Sequence, residues 1–284
     1  MKCCQHHVFE RSGIAAQTDL ESPDCKDIFK LLEAEQALFL ESEHAFRSDS
    51  YQWPRDPLHT WSRVWEYPYV FHHLRKLRLV LSTEKSPIAV DLGSGVTFFP
   101  FSIAHMGFEV VCADIDKTCE RDIKRAIKVV PSSPGKVSFR LIEGTRLPFD
   151  DSEVDVIFCI SLLEHIPDFV TVVSEVFRIL RNGGIFLLTI DLDLRGDSEL
   201  GIESYRRLTA SLKQDFEYLY PNVTIHPADM LNSLSGPYPY RRLHGLKRAR
   251  FLITQKLRRA LLNKRSVPEI PYFLSVEGMA LRKR

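Results

Sequence analysis

The 284-residue sequence has no apolar stretch approaching the length of a bilayer-spanning helix, and its opening M-K-C-C-Q-H-H-V-F-E lacks the continuous apolar run of a secretory signal. Both absences argue against membrane-spanning and exported classes and make a cytoplasmic location the expectation. Cysteine is sparse, six residues at irregular spacing, with Cys112 and Cys159 inside apolar runs expected to be strands. Such spacing supports no disulfide framework, so buried free thiols in a reducing compartment are expected. Cys3 and Cys4 are adjacent, without the two- to four-residue gap of a tetrahedral site, so no metal is expected with His6 and His7. A dominant charge is also lacking: 38 Lys and Arg against 37 Asp and Glu leave a net +1. That balance gives no broad electrostatic footprint for nucleic acid.

What is present is concentrated between Ile88 and Asp116. The run I-A-V-D-L-G-S-G-V-T ends an apolar segment in Asp91 and places Gly93 and Gly95 directly after it; a second apolar run, G-F-E-V-V-C-A-D, ends in Asp114. This spacing predicts strand, glycine turn, helix, strand and a carboxylate at the second strand tip. The glycines let the backbone turn sharply and let a ligand approach where a Cβ would stand. Asp114 is placed to accept from ribose hydroxyls in the crevice outside the strand ends. A dinucleotide site would need a further glycine at position 98, where a pyrophosphate approaches the helix N-terminus; Phe98 stands there. The loop therefore suits a nucleoside without a pyrophosphate, and S-adenosylmethionine fits that description.

Further along come E-G-T-R-L-P-F-D-D-S-E-V-D-V-I-F-C-I-S-L-L-E-H-I (143–166), an amphipathic helix and R-N-G-G-I-F-L-L-T-I-D (181–191). With these segments the sequence resembles the class I S-adenosylmethionine-dependent methyltransferases over roughly 87–193. The resemblance implies an α/β, doubly wound, mostly parallel seven-stranded Rossmann-like sheet. It implies that Asp91, Gly93, Ser94 and Gly95 surround the methionine moiety of the cofactor, that Asp114 holds the ribose, and that Ile115 lies beside the adenine. Gly144, Thr145 and Arg146 match the segment lining the adenine. Ile160 and Ser161 match the fourth strand tip, and Asn182, Gly183 and Gly184 match the turn into the fifth strand. The pattern departs from the family at Thr97, often glycine, and at Thr145, often aspartate, which leaves Glu143 as an alternative partner for the adenine amine.

Around this centre the chain divides into a mobile tail at 1–22, a helical and aromatic cap at 23–86, and the Rossmann-like domain at 87–284 with a basic helical insertion at about 240–265. A long helix is expected over 24–46 with Asp24 as its cap, and another over 69–81. Strands are expected at 88–92, 109–113, 137–142, 154–160 and 185–190, and short apolar strands separated by helices argue for a parallel sheet covered on both faces. The helix from Asp168 carries Phe169, Val172, Val173, Val176, Phe177 and Leu180 on one face and is expected to end at Asn182-Gly183. A helix over 199–219 follows, and F-L-S-V-E-G-M-A-L (273–281) reads as a closing strand, antiparallel by resemblance.

In-line methyl transfer from a sulfonium asks mainly for positioning, with a base where the acceptor must lose a proton. His165 is the first candidate base; the other reading of L-L-E-H is a loop-stabilising turn. Glu164 is a candidate for holding an amine of substrate or cofactor, or for capping that turn. Asp191 and Asp193 share the same strand edge and read as solvated loop acids, with no metal expected. In the proline-broken aromatic segment, Trp61, Trp65 and Tyr67 are candidates for stacking on the acceptor and Arg63 and Glu66 for fixing a charged end, against the alternative of core packing.

From Met230 to Pro268 there are ten Lys or Arg and no acid. Such a tract fits a solvated face of a packed or dimerising helix, or a patch for an acidic or phosphorylated acceptor or for anionic lipid. Strand four ends without the Asn/Asp-Pro-Pro-aromatic element that base-amine methyltransferases use on a flipped base, so nucleic acid is disfavoured. The expected function is methyl transfer from S-adenosylmethionine to an O or N nucleophile of a small-molecule acceptor. The alternatives are an RNA methyltransferase using the basic tract, or a non-catalytic cofactor-binding protein.

Overall fold

A computed structural model of the chain describes residues 7–81, 86–194, 200–240, 245–246, 249–250, 252–254 and 273–284. In chain order the elements are β1 (Gly13–Ile14), α1 (Gln17–Glu21), α2 (Pro23–Glu41), α3 (Glu43–Phe46), α4 (Arg63–Val80), β2 (Ile88–Leu92), α5 (Phe99–His105), β3 (Glu109–Asp114) and α6 (Lys117–Ala126). They continue with β4 (Lys136–Leu141), β5 (Val154–Ile160), α7 (Phe169–Ile179), β6 (Leu180–Asp193), α8 (Ile202–Asp215), β7 (Phe216–Tyr218) and β8 (Leu274–Lys283).

The sheet order is β1-β8-β6-β5-β2-β3-β4, with β7 also pairing with β8. From β4 to β6 the strands are parallel, while β8 runs antiparallel to β6, β7 and β1. Period-two alternation splits the core in two. Ala89, Val110, Val156, Phe158 and Leu187 pack with α2, α4, α5 and α6 on one face. Val90, Val111, Ile157, Cys159 and Leu188 pack with α7 and α8 on the other. β2 and β5 are neighbours whose following helices cover opposite faces, so a crevice opens outside their C-terminal ends.

The α/β fold, the antiparallel closing strand and the five central strands agree with the expectations from sequence. Several boundaries differ for identifiable reasons. An eighth strand, β1, joins the seven: the described part of 1–22 is packed, not loose. Gly13 and Ile14 pair with Gly278 and Glu277, and fully buried Phe9 meets Trp65 and Tyr69 edge-on, ring centres 5.7 and 5.9 Å apart. Two residues of strand carry no period, which is why the sequence reads as a tail. The first long helix breaks at Ser42, and Ser22, not Asp24, caps α2, accepting from the Cys25 N–H at 3.1 Å.

α4 begins at Arg63 rather than at 69, carrying Pro68 inside it. One lost amide bond is offset by a run of buried residues on both sides of the proline. α7 stops at Ile179, and Leu180 already pairs with Val154, so Asn182 to Gly184 lie in the irregular start of β6 and not at a helix end. The expected helix over 199–219 is α8 followed by the short edge strand β7.

The described residues of 23–86 share their core with the strands: Ile28, Leu32 and Trp65 belong to the same cluster as Ala89 and Val110. Gly278 permits this, because a Cβ there would stand 2.7 Å from the Trp65 ring and 2.9 Å from Tyr69. Most of the basic insertion at 240–265 lies outside the described residues; of its apolar residues, Leu246, Leu252 and Ile253 are described and are exposed. Among the described residues no helix is long and apolar enough to cross a membrane.

Candidate cofactor and acceptor site

At the end of β2 the chain turns through Gly93 at φ 75° and Gly95 at φ 54°, left-handed conformations that L side chains avoid. A Cβ on Gly93 would also stand 2.7 Å from the Leu162 side chain. The Gly93 N–H donates to Ala113 O at 2.8 Å, stitching the loop to β3. Beyond that bond Asp114 closes the cradle. One carboxylate oxygen accepts from the Gly95 N–H and the other from the Asp116 N–H, both at 3.0 Å. The remaining lone pairs of a carboxylate fixed by two amides are available to ribose hydroxyls. Ile115, next along, is 75 % exposed, an apolar surface suited to an adenine.

Asp91 and Ser94 are buried beneath this loop. Burial, with the Asp114 charge beside it, raises the Asp91 carboxyl well above the ordinary range, and Arg63 opposes the shift. Phe98 caps α5 and meets the Tyr67 ring edge-on at 5.5 Å, so the helix N-terminus is covered by aromatic rings. The loop is latched from outside by a segment whose role the sequence concealed. Tyr51 Oη accepts from the Val96 N–H at 3.1 Å, Arg47 donates to Val96 O at 3.2 Å, and the Arg47 guanidinium lies 4.7 Å from the Tyr51 ring centre.

After β4, Gly144 takes φ 77° with open space where a Cβ would go, and Thr145 and Arg146 are exposed beside it. Arg146 borders a surface depression with Arg140, Phe149 and Glu153. Ile160 ends β5, and Ser161 follows at φ 44°, its N–H donating to Thr189 O at 3.0 Å.

Here a polar network begins that joins α4 to the tips of β5 and β6. Arg63 Nη1 pairs with Glu66 and donates to Ser161 Oγ at 2.7 Å. Glu66, fully buried, accepts from Ser161 Oγ at 2.7 Å and Thr189 Oγ1 at 2.6 Å. Asp191 has Ser161 Oγ at 3.4 Å, and its N–H donates to Glu164 Oε1 at 2.9 Å. Glu164 and His165 sit in a 3-10 turn over 163–165, Glu164 buried and His165 exposed. The His165 charge opposes the rise that burial and Glu66 impose on the Asp191 carboxyl. Among the described residues no group of three or more His, Cys, Asp or Glu has a metal-holding arrangement.

Of the five residues expected to contact an acceptor, Arg63 and Glu66 lie at the β5 and β6 strand tips. Trp65 does not. It is fully buried on the opposite side of α4, stacked on Tyr69 at 4.7 Å, its indole N–H donating to Asp19 at 2.8 Å. Tyr67 is buried against Phe99, rings stacked at 4.5 Å, and Trp61 is buried in the same core. Helical spacing decides this: residues 63 and 66 share the face toward the strand tips, whereas 65 and 69 point to β8. Thr189 was missed by the sequence reading; its signal was a hydroxyl inside an apolar strand, two residues before Asp191.

Residues 90–188 match the model of a methyltransferase domain. An uncharacterized methyltransferase of Mycobacterium sp. (strain JLS) is 31 % identical over 129 residues, 44 % of this chain and 48 % of the relative. A probable S-adenosylmethionine-dependent methyltransferase of Mycolicibacterium smegmatis is 29 % identical over 100 residues, 35 % and 36 % of the two chains. The chain spans about half the length of the first of these relatives and about a third of the second. In fold it is similar to a putative sarcosine dimethylglycine methyltransferase of Galdieria sulphuraria, TM-score 0.50 at 16 % identity over 76 % of this chain and 84 % of that one. The similarity to methyltransferases thus lies in the central part of the chain, over residues 90–188.

Proposed function

We propose that this protein transfers a methyl group from S-adenosylmethionine to an oxygen or nitrogen nucleophile of a small-molecule acceptor. The observation that carries the reading is the clasp of Asp114 on the glycine loop. Two left-handed glycines lie under a carboxylate fixed by the Gly95 and Asp116 amides, with exposed Ile115 beside it. The bound cofactor supplies a sulfonium methyl group. Asp114 holds the ribose hydroxyls; Asp91, Gly93, Ser94 and Gly95 flank the methionine end, with Ile160 and Ser161 across from them. Ile115 and the Gly144 to Arg146 segment border the adenine. Arg63, Glu66, Glu164 and His165 lie on the acceptor side, where a pre-formed polar wall orients the nucleophile. His165, exposed at that edge, is the group suited to receive an acceptor proton near neutral pH.

Incubation of the purified protein with methyl-labelled cofactor and separate small-molecule and RNA fractions of a cell extract tests this. Label is expected in the small-molecule fraction. Label confined to RNA, with a steep loss on adding salt, or label transferred to neither fraction, overturns the proposal.

A further inference from the structure

The hydrogen bonds around the β5 and β6 tips are unevenly shared. Glu66 accepts from Thr189, Ser161 and Arg63, and Arg63 Nη1 is committed to Glu66 and Ser161. Glu164 has one oxygen on the Asp191 N–H, while Oε2 is buried with no hydrogen-bond partner among the described residues. The residue is only 9 % exposed. The Asp191 carboxylate has the Ser161 hydroxyl at a long 3.4 Å. Buried carboxylate oxygens without donors are unfavourable, and native structures rarely keep one without a purpose. Ser161, which links Glu66 and Asp191, is itself held in the left-handed region, a conformation that concentrates at ligand sites in non-glycine residues.

This cluster adjoins the glycine cradle. Leu162, directly after Ser161, is the side chain lying over Gly93. We infer that Glu164 and Asp191 form an ammonium subsite beside the cofactor cradle, so that the methyl acceptor is a small molecule carrying a cationic amine. The inference rests on the methyl-transfer reading for the word acceptor, and on the carboxylates alone for the amine. An ammonium brings three donors, enough for Glu164 Oε2 and the Asp191 carboxylate together. A carboxylate or phosphate would instead meet like charge. The charge of this edge thus runs against an acidic or phosphorylated acceptor.

The neighbouring charges set the pH dependence. Glu164 faces Glu66 and Arg63 from α4, Asp191 from β6 and the Cys159 thiol from β5; Asp191 also faces His165. Burial pushes Glu164 up to about 8, against the backbone N–H groups of Glu164 itself and Asp191 and the Arg63 charge, with the Glu66 charge adding to the rise. At neutral pH the ligand-free pair therefore retains a proton. An entering ammonium, itself charged up to a pH of about 10, must displace that proton, so affinity rises roughly tenfold per pH unit up to about pH 8.

The test is thermal unfolding of the full chain saturated with S-adenosylhomocysteine, titrated with propylammonium chloride. Sodium chloride at equal ionic strength, propanol and sodium butyrate serve as controls. A saturable rise in Tm is expected with propylammonium alone, with an apparent Kd about tenfold lower at pH 7.5 than at pH 6.5 and at least tenfold weaker binding in Glu164→Gln and Asp191→Asn. The Tm rise each variant shows with S-adenosylhomocysteine reports that it is folded, and either variant suffices. A response no larger than the salt control, an equal response to butyrate, or unchanged propylammonium binding in a folded variant overturns the inference. If propylammonium binds as expected while S-adenosylhomocysteine has no effect, the subsite stands and the methyl-transfer reading falls.

Discussion

Gly93 is where backbone and ligand requirements meet in one residue. Its φ of 75° strains any side chain, and a Cβ would press on Leu162. Gly93→Ala is expected to cost about 1–3 kcal/mol of stability and to weaken S-adenosylhomocysteine binding in the folded fraction, measured by urea unfolding and calorimetry. Wild-type stability and affinity in that variant would contradict the cradle. Gly93, Gly95 and Asp114 were legible in the sequence because a glycine pair after one apolar run and an acid ending the next are local signals. Glu66 was legible only as a charge. Its partners Ser161 and Thr189 lie 95 and 123 residues away, and nothing in local spacing pairs residues at that distance.

Among the elements, α4 carries most of what the sequence concealed. Its pattern mixes aromatics, a proline and charges, so periodicity did not reveal that one face holds Arg63 and Glu66 over the strand tips while the opposite face stacks Trp65 on β8. Trp65→Ala is expected to destabilise the fold by about 3–5 kcal/mol, since it empties a fully buried site and removes a donor from Asp19. Cofactor affinity of the folded fraction is expected to be unchanged. A stable variant with impaired binding would return Trp65 to the acceptor site. The strands of the parallel core were read to within a residue or two, apart from the longer β6, because alternation and continuous apolar runs are their own signal. β1 and β7, two and three residues long, have no period and are defined only by the edge of β8 they complete.

For the whole molecule, the N-terminal strap and α4 meet at a histidine cluster. His7 stacks on His72 at 3.6 Å, and His72 meets His73 edge-on at 5.1 Å. Burial, reinforced by His7, pushes His72 down to about 3. Above pH 6.5 the imidazole is neutral in both folded and unfolded chains and contributes no pH dependence. Below it the unfolded chain binds a proton that the folded one refuses, so this residue lowers stability as pH falls from 6.5 toward 3. Relative to the unsubstituted protein, His72→Phe is expected to gain about 1.4 kcal/mol between pH 7.5 and pH 5.5, read from urea midpoints at both values. A parallel pH response in the two proteins would contradict a neutral, buried imidazole.

The account as a whole depends on the cradle formed by Gly93, Gly95 and Asp114 receiving an adenosyl ligand. Calorimetric titration with S-adenosylhomocysteine measures this most directly. The account predicts saturable one-site binding that weakens ten- to a hundredfold in Asp114→Ala, about 1.5–3 kcal/mol for a charged acceptor lost from ribose hydroxyls. No heat with S-adenosylhomocysteine, or equal affinity in Asp114→Ala, would contradict it.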